Sequence, residues 1–267
     1  MAVVALLTDF GLSDAYVGVM KGVIFSIAPS AQVVDLAHGV APQDIVGASY
    51  SLYSAHPYFP ENTVFTVVVD PGVGSGRRIV ALRTDRKIFL APDNGVLTPV
   101  INSETIHEAV SVENPEYFLH PVSRTFHGRD IFAPAAARLA AGEALSQFGP
   151  PLSASAFVRL DVAPPEVDSD GCLAGTVIAV DRFGNLITNI GRDDIAAAFG
   201  DTADRSLKTI IEGFEINGVS ETYQSVPQND PLVVFGSGDM LEISVNCGDA
   251  AGYFKKKRGD SVRVCCL

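Results

Sequence analysis

A glycine-rich turn separates a carboxylate from two arginines in VVVDPGVGSGRR, residues 67–78. A run of β-branched residues ends at Asp70, and the chain then turns through Pro and Gly before Arg77 and Arg78. Because Asp-Pro-Gly is ordinary turn chemistry, a solvated connection between two strands is one explanation. The other is functional: a rigid strand end presents a carboxylate, and the loop returns a guanidinium to it as a charge-assisted pair.

Polar side chains also follow several other apolar runs that have the pattern of strands. They are Thr8 to Gly11 with Asp14 close behind, Asp35 and His38, Pro92 to Gly95, and finally His127 and Arg129 before a helical pattern. Since ligands bind at the carboxyl ends of strands in open α/β sheets, this shared placement predicts a site at one edge of a sheet. Each group alone has a plain structural explanation, with Asp9 as a cap and His127 as a satisfied surface histidine.

Two common kinds of site find little support in these residues. The chain has no GxxxxGK[ST] loop, and Gly72 and Gly74 lack the third glycine of a dinucleotide fingerprint. Asp35, His38 and His127 could supply metal ligands, but no HExxH-type spacing joins them. We therefore expect no metal and no resident cofactor.

Composition limits the partners of the chain. It has 267 residues, a net charge of −12 and 47% hydrophobic residues, which is typical of a globular protein with a large core. An acidic chain repels polyanions, so we expect no nucleic-acid partner. No apolar run reaches transmembrane length, so we also expect no membrane partner.

The four cysteines predict no zinc site, because none of them forms paired CxxC motifs. The apolar start, MAVVALL, is short and has no basic region before it, which differs from a secretory signal. We therefore expect a cytoplasmic protein with reduced core thiols at Cys172, Cys247, Cys265 and Cys266.

Strand and helix patterns alternate in the first half of the chain, which predicts a layered α/β domain. Strands are expected at 2–8, 31–36, 64–70, 78–84 and 87–93, and helices at 14–28, 42–55 and 128–141.

The second half has a different texture. The stretch 161–171 is rich in Pro and Asp and is the best linker candidate. Beyond it, short strand patterns predominate, at 173–181, 185–190, 207–213, 231–237, 240–246 and 261–267, with helical patterns only at 192–199 and 248–254. Close-set strands with glycine-rich turns predict a small sheet or barrel. We therefore predict an N-terminal α/β domain at 1–165 and a smaller C-terminal β-barrel domain at 166–267.

Six segments, taken together and in order, resemble one enzyme family. They are TDFG at 8–11, DPGVGSGRR at 70–78, APDNG at 91–95, TFHGRD at 125–130, DRFGN at 181–185 and FGSGDMLEISVN at 235–246. The set is similar to the S-adenosyl-L-methionine (SAM) hydroxide adenosyltransferases, which hydrolyse SAM to adenosine and are relatives of the fluorinating and chlorinating SAM enzymes. The segments span nearly the whole chain.

The resemblance implies a fold, an assembly and a catalytic set. The fold is an N-terminal α/β domain followed by a C-terminal β-barrel. The assembly is a homotrimer in which SAM binds between the N-terminal domain of one subunit and the C-terminal domain of a neighbour. The catalytic residues are Asp70, Arg77 and His127. Asp70 and His127 would orient and deprotonate the attacking water, and Arg77 would fix Asp70. Which of the three is the general base stays open.

The resemblance also implies the substrate contacts. Asp9 matches the ribose-binding aspartate of the family. The contacts of the family to the methionine end match Asp14, Asp181 and Ser237. Its contacts to adenine match Phe183 and Asn185.

Departures from the pattern of the halogenating relatives favour hydrolysis. Those relatives carry tyrosine where this chain has Asp70, and a fixed carboxylate would repel a halide. They also carry an arginine near the methionine carboxylate where this chain has Gly238, so that carboxylate needs another partner here. Three alternatives remain: a SAM- or nucleoside-binding regulatory module without catalysis, a metal-dependent hydrolase, and a SAM-dependent halogenase.

Overall fold

The computed structural model describes residues 2–200 and 207–267. The chain divides into two units, Met1–Leu160 and Asp161–Leu267, so the Pro- and Asp-rich stretch 161–171 belongs to the second unit. The prediction of an α/β domain followed by a barrel-like β domain is confirmed by the sheets that the two units contain.

A six-stranded sheet with the order β2-β1-β3-β5-β4-β6 forms the centre of the first unit. Only β4 runs antiparallel to its neighbours. The strands are β1 (Val3–Thr8), β2 (Gln32–Ala37), β3 (Val64–Val68), β4 (Ile79–Thr84), β5 (Ile88–Pro92) and β6 (Ile106–Ser111). The carboxyl ends of β1, β2 and β3 therefore lie at the same edge of the sheet.

Helices cover both faces of this sheet. They are α1 (Tyr16–Ile27), α2 (Ile45–Ala55), α3 (Thr98–Ser103) and α4 (Ala133–Ala140), the last preceded by a π-helical turn at Gly128–Phe132. The first unit has two hydrophobic cores, one on each face of the sheet, and alternate residues of β1 point into them. Leu6 packs in the same cluster as Met20 of α1, whereas Leu7 packs in the same cluster as Leu52 of α2. The first unit is thus a three-layer α/β structure.

The second unit is a nearly closed antiparallel sheet with the order β11-β10-β14-β8-β9-β13-β12, with β7 paired to β8. Its core lies inside the sheet and includes Leu186, Val233, Leu241 and Val262. Its elements are β7 (Glu166–Val167), β8 (Leu173–Val180), β9 (Leu186–Gly191), α5 (Arg192–Phe199), β10 (Leu207–Ile211), β11 (Phe214–Asn217), β12 (Pro231–Phe235), β13 (Met240–Val245), α6 (Ala250–Phe254) and β14 (Ser261–Cys266).

The cysteines differ from expectation. Cys172 and Cys265 form a disulfide, with their Cα atoms 4.3 Å apart, so the prediction of four reduced thiols is wrong. The pairing follows from the barrel, because β14 lies beside β8 and the pair Val264–Leu173 sets the two cysteines next to each other. Cys247 and Cys266 are free and exposed.

In residues 2–200 and 207–267, no helix combines the length and the apolarity needed to cross a lipid bilayer.

Candidate active site

Asp70 and Arg77 form a tight ion pair just after β3. The strand end is fixed from the side by Asn94, whose Nδ2 donates to the carbonyl oxygen of Val69 at 2.9 Å. Nε of Arg77 lies 3.0 Å and 2.9 Å from the two carboxylate oxygens of Asp70, and Nη2 also donates to Oδ2. The side chains are only 5% and 12% exposed for Asp70 and Arg77, so solvent screens this pair little.

The glycine-rich loop brings Arg77 back to Asp70. Gly74 has φ +75°, and a Cβ there would lie 2.2 Å from the carbonyl oxygen of Arg124, so only glycine fits this close approach. The loop is closed by Ser75, whose hydroxyl donates to the carbonyl of Gly72 at 2.6 Å and accepts from the amide of Arg77 at 3.3 Å. The turn therefore serves to place the guanidinium.

His127 completes the cluster from the start of the π-helical turn. Nη2 of Arg77 lies 2.8 Å from Nδ1 of His127. Burial and the charge of Arg77 lower the pKa of His127, and they outweigh Asp70 and Asp130, which act in the opposite direction. His127 is therefore neutral at pH 7. Because a guanidinium can only donate, Nδ1 is the acceptor and Nε2 carries the imidazole proton.

A cavity of about 400 Å³ opens beside this cluster, a volume suited to a small-molecule ligand. Its polar lining includes Asp9, Gln43, Asp70 and His127. One wall is aromatic, with ring centroids 5.0 to 6.1 Å apart between Phe10, Tyr16 and Phe126. The cavity thus combines carboxylates, an imidazole and apolar surface.

The two predicted ligand groups near β1 have different surroundings. One carboxylate oxygen of Asp9 accepts from the backbone amide of Gln43 at 2.8 Å, and both residues line the cavity. Asp14 is exposed and is not part of that lining.

The predicted residues of the second unit lie on turns of the barrel. Oδ1 of Asp181 accepts from the amides of Phe183 and Asn185 at 2.9 and 2.8 Å, and Oδ2 accepts from Nδ2 of Asn185 at 2.8 Å. The turn needs Gly184, which has φ +86° and no room for a Cβ beside Asp249. The ring of Phe183 is left 76% exposed.

A second cavity, of about 920 Å³, lies beside this turn in the second unit. Asp181, Phe183 and Asn185 are part of its lining. Ser237 is exposed in the turn between β12 and β13, outside that lining.

The structure therefore collects Asp9, Asp70 and His127 around one cavity and Asp181, Phe183 and Asn185 around another. Sequence reasoning missed the wall of the first cavity, namely Phe10, Tyr16, Gln43 and Phe126. A signal was present for two of them, since Phe10 and Phe126 lie inside the segments TDFG and TFHGRD.

Among the residues that the structure describes, no group of three or more His, Cys, Asp or Glu side chains is arranged to hold a metal ion.

The fold and site define a class of protein in which an α/β unit with an Asp–Arg–His cluster beside a cavity is followed by a barrel-like unit, and comparison with known families identifies the family. Residues 4–149 match the N-terminal domain, and residues 175–263 the C-terminal domain, of SAM hydroxide adenosyltransferase. The chain belongs to this family.

Known proteins agree with the match over the whole chain. The chain is 39% identical to the (R)-S-adenosyl-L-methionine hydrolase of Thermus thermophilus, over 99% of this chain and 100% of that protein. It is 30% identical to a fluorinase of Actinoplanes sp., over 98% and 97% of the two chains. The crystal structure of an uncharacterized conserved protein from Thermotoga maritima superposes with a TM-score of 0.90 at 40% identity, over 98% and 99% of the two chains.

Proposed function

We propose that the protein hydrolyses SAM to adenosine and L-methionine, with water attacking C5′ of the ribose. The observation that carries this proposal is the hydrogen-bonded cluster of Asp70, Arg77 and His127 beside a cavity of nucleoside size. The name of the Thermus thermophilus relative, an (R)-S-adenosyl-L-methionine hydrolase, supports it.

The chemistry explains why so small a catalytic set suffices. SAM is a sulfonium cation, and its positive charge is neutralised as the C5′–S bond breaks. A site that excludes bulk water therefore favours the transition state over the solvated cation. What the protein must add is one water molecule held in line with the departing sulfur, and an acceptor for its proton.

In this proposal His127 orients the attacking water and Asp70 accepts its proton, as their hydrogen bonds suggest. Nδ1 of His127 is occupied by Arg77, so neutral His127 offers Nε2–H as a donor and orients the water. Asp70 takes the proton. Its Oδ1 accepts one hydrogen bond from Arg77 and keeps a lone pair for the water. Arg77 holds both partners in one geometry and has no part in proton transfer.

Substrate recognition is divided between the two units. Asp9 binds the ribose hydroxyls from the first cavity. Phe183 and Asn185 contact adenine, and Asp14, Asp181 and Ser237 contact the methionine end. Support comes from the match of Asp9 to the segment TDFG, of the second-unit residues to DRFGN and FGSGDMLEISVN, and from the place of Phe183 and Asn185 in a cavity lining. Asp14 lies outside these segments, and its role rests on the family resemblance alone.

We also propose a homotrimer in which each site takes its first half from one subunit and its second half from a neighbour. A closed ring of head-to-tail contacts gives one such site per interface. Light scattering of the purified protein tests the trimer, and a monomer with full activity would contradict it.

A cytoplasmic location is part of the same proposal, and the cysteines allow a test. Lysis of cells in denaturant with a thiol-alkylating reagent reports the state of the pair in the cell, and alkylation of Cys172 and Cys265 would show that the compartment keeps this disulfide reduced. Protection of both from alkylation would favour an oxidising compartment.

Product analysis tests the function directly. Purified protein incubated with SAM and chloride should yield adenosine and methionine in equal amounts by liquid chromatography, before and after exhaustive chelation. SAM binding without any product would indicate a regulatory module, and 5′-chloro-5′-deoxyadenosine would indicate a halogenase. Activity that chelation removes and a divalent metal restores would indicate a metal-dependent hydrolase.

A further inference from the structure

A network of hydrogen bonds joins the end of β2 to the segment that contains Asp9, and it plays no part in the chemistry described so far. His38, which is 4% exposed, follows β2. Its Nε2 lies 2.9 Å from Oδ1 of Asp35, and its Nδ1 lies 2.9 Å from the hydroxyl of Thr8, the last residue of β1. Lys21 of α1 donates to Oδ2 of Asp35 at 2.7 Å.

The carboxylate of Asp35 sets the direction of the hydrogen bonds at one end of this network. Hydrogen bonds from Lys21 and His38 outweigh the effect of burial and lower the pKa of Asp35, so Asp35 is ionised and accepts from Nε2–H of His38. In the neutral imidazole, Nδ1 is then the acceptor, and the hydroxyl of Thr8 donates to it. The same hydroxyl oxygen accepts from the amide of Phe10 at 3.2 Å. Such a run of aligned bonds is mutually reinforcing.

The backbone of His38 braces the same segment from a second side. Its carbonyl accepts from the amide of Gly11 at 2.8 Å, so its ring and its carbonyl together bracket Asp9 and Phe10. The loop that follows His38 then reaches Gln43, whose amide donates to Asp9. His38 therefore contacts the segment that contains Asp9 through both its ring and its carbonyl.

The order Asp35, His38, Thr8 is also that of a nucleophile triad, but burial excludes this role. Thr8 is 0% exposed, so its hydroxyl cannot reach a substrate. The last hydrogen bond of this network is made to the backbone amide of Phe10, a residue of the cavity wall, and no group of the network reaches into the cavity. This is the arrangement expected of residues that support a binding group from behind.

We propose that Asp35, His38 and Thr8 are positioning residues that hold Asp9 and Phe10 in the orientation that binds the nucleoside. This proposal rests on the proposed function, because it identifies the support of the ribose-binding group. It makes the binding of the nucleoside sensitive to a hydroxyl that the ligand never touches, and it leaves the chemical step to Asp70 and His127.

The sharpest test removes only the hydroxyl of Thr8. Thr8→Val keeps the shape of the side chain, and Thr8→Ser keeps the hydrogen bonds. The matched control is Thr66→Val on the neighbouring strand β3, since Thr66 is also 0% exposed and its hydroxyl has no hydrogen-bond partner among the described residues. Asp9→Ala removes the binding group itself, so its loss of adenosine affinity is the largest that the Thr8 variants should approach.

Two readouts separate this proposal from the proposed function. The first is affinity for adenosine by titration calorimetry together with KM and kcat for SAM. Thr8→Val should weaken adenosine binding and raise KM by roughly threefold to tenfold, the worth of a neutral hydrogen bond, with kcat nearly unchanged. Asp9→Ala should cost at least about tenfold, because it removes charged hydrogen bonds.

The second readout needs no ligand. Amide hydrogen exchange at Phe10 and Gly11 should be faster in Thr8→Val than in the wild type and should be restored in Thr8→Ser. If the wild type does not convert SAM, the proposed function fails, but the exchange rates still decide the positioning role.

Several results would contradict the positioning role of Asp35, His38 and Thr8. Wild-type exchange and wild-type adenosine affinity in Thr8→Val would overturn it, as would equal losses in Thr66→Val. If Thr8→Val does not fold, Asp35→Ala removes the acceptor of the His38 imidazole at the exposed end of the hydrogen-bonded network, since the Asp35 side chain is 43% exposed. Wild-type KM and exchange in that variant would also reject the proposal.

Discussion

In the first unit, Asp70 and Arg77 have side chains that are 5% and 12% exposed, and they are locked together with His127. In the second unit, the ring of Phe183 is 76% exposed, and Asp181 uses both carboxylate oxygens within its own turn. Rigid placement is what proton transfer requires, whereas an open aromatic ring is suited to stacking on a base. This contrast fits the proposed function, in which the first unit performs the chemistry and the second unit contributes to recognition.

The largest effect should come from the first unit. We expect Asp70→Asn to lower kcat by roughly 10²–10⁴-fold, the range for a positioned proton-transfer group, with little change in adenosine affinity. Steady-state kinetics and titration calorimetry measure the two. Asp93→Asn is the matched control, because Asp93 is also a buried, arginine-paired carboxylate but does not line the cavity. Equal losses of kcat in both variants would remove Asp70 from the chemistry.

The second unit should show the opposite division between kcat and affinity. Phe183→Ala should weaken binding of adenosine and SAM by roughly 5- to 100-fold, the worth of one stacking contact, and should leave kcat at saturating SAM nearly unchanged. Phe214→Ala is the control within the same unit, since Phe214 is 47% exposed and lies outside the cavity lining. A fall in kcat without a fall in affinity would break the comparison.

The pH profile should report the first unit alone. Because burial and Arg77 lower the pKa of His127 below its usual 6.5, the neutral imidazole persists to mildly acidic pH. Protonation of Nδ1 at still lower pH would remove the acceptor that Arg77 uses. We expect kcat/KM to be constant from pH 8 to below 6.5 and to fall with further acidification. An acid midpoint above 6.5 would contradict this assignment.

Stability should respond to pH in opposite directions in the two units. His56 of the first unit is 3% exposed, and its ring nitrogens have no partner among the described residues. Burial lowers its pKa, so the unfolded state takes up a proton first and stability falls as pH drops through about 6.5. Burial raises the pKa of Glu242 in the second unit, so stability there falls as pH rises above 4.5.

Urea unfolding of two variants at pH 5 and pH 8 measures this difference. His56→Leu should raise the free energy of unfolding by about 1–3 kcal/mol by removing unsatisfied buried nitrogens, and the gain should be larger at pH 5. Glu242→Gln should gain more at pH 8. The exposed, ion-paired His107 provides the control His107→Gln, which should show neither gain. The same pH trend in both variants would reject the contrast.

The strongest elements could be predicted because each is determined by its own residues. β1 and β3 are continuous apolar runs, and they are buried on both faces of the sheet as that pattern indicates. The elements that were missed depend on their neighbours. β6 contains His107 and Glu108 and is a strand because it pairs with β4 at the sheet edge, and α3 is too short for a helical period to show.

Part of the candidate catalytic cluster was predictable for a similar reason. Asp70 and Arg77 lie seven residues apart on one loop, so local turn chemistry alone brings them together. His127 comes from a distant segment. The family resemblance supplied its place in the set, and its contact with Arg77 was not predicted.

The features that sequence reasoning missed are long-range ones. Cys172 and Cys265 are 93 residues apart and meet because β8 and β14 are neighbours in the barrel. Thr8 and His38 meet because β1 and β2 end at the same edge of the sheet. Nothing in the residue types near Thr8 distinguishes it from an ordinary buried threonine.

The most direct test of the central claim follows the oxygen atom of the attacking water. The protein is incubated with SAM in H₂¹⁸O, and the products are analysed by mass spectrometry. Attack at C5′ by water held at Asp70 and His127 predicts one ¹⁸O in the 5′-hydroxyl of adenosine and none in methionine, with label entering far more slowly in Asp70→Asn. Label in methionine, unlabelled adenosine, or labelling of adenosine at the wild-type rate in Asp70→Asn would contradict the account.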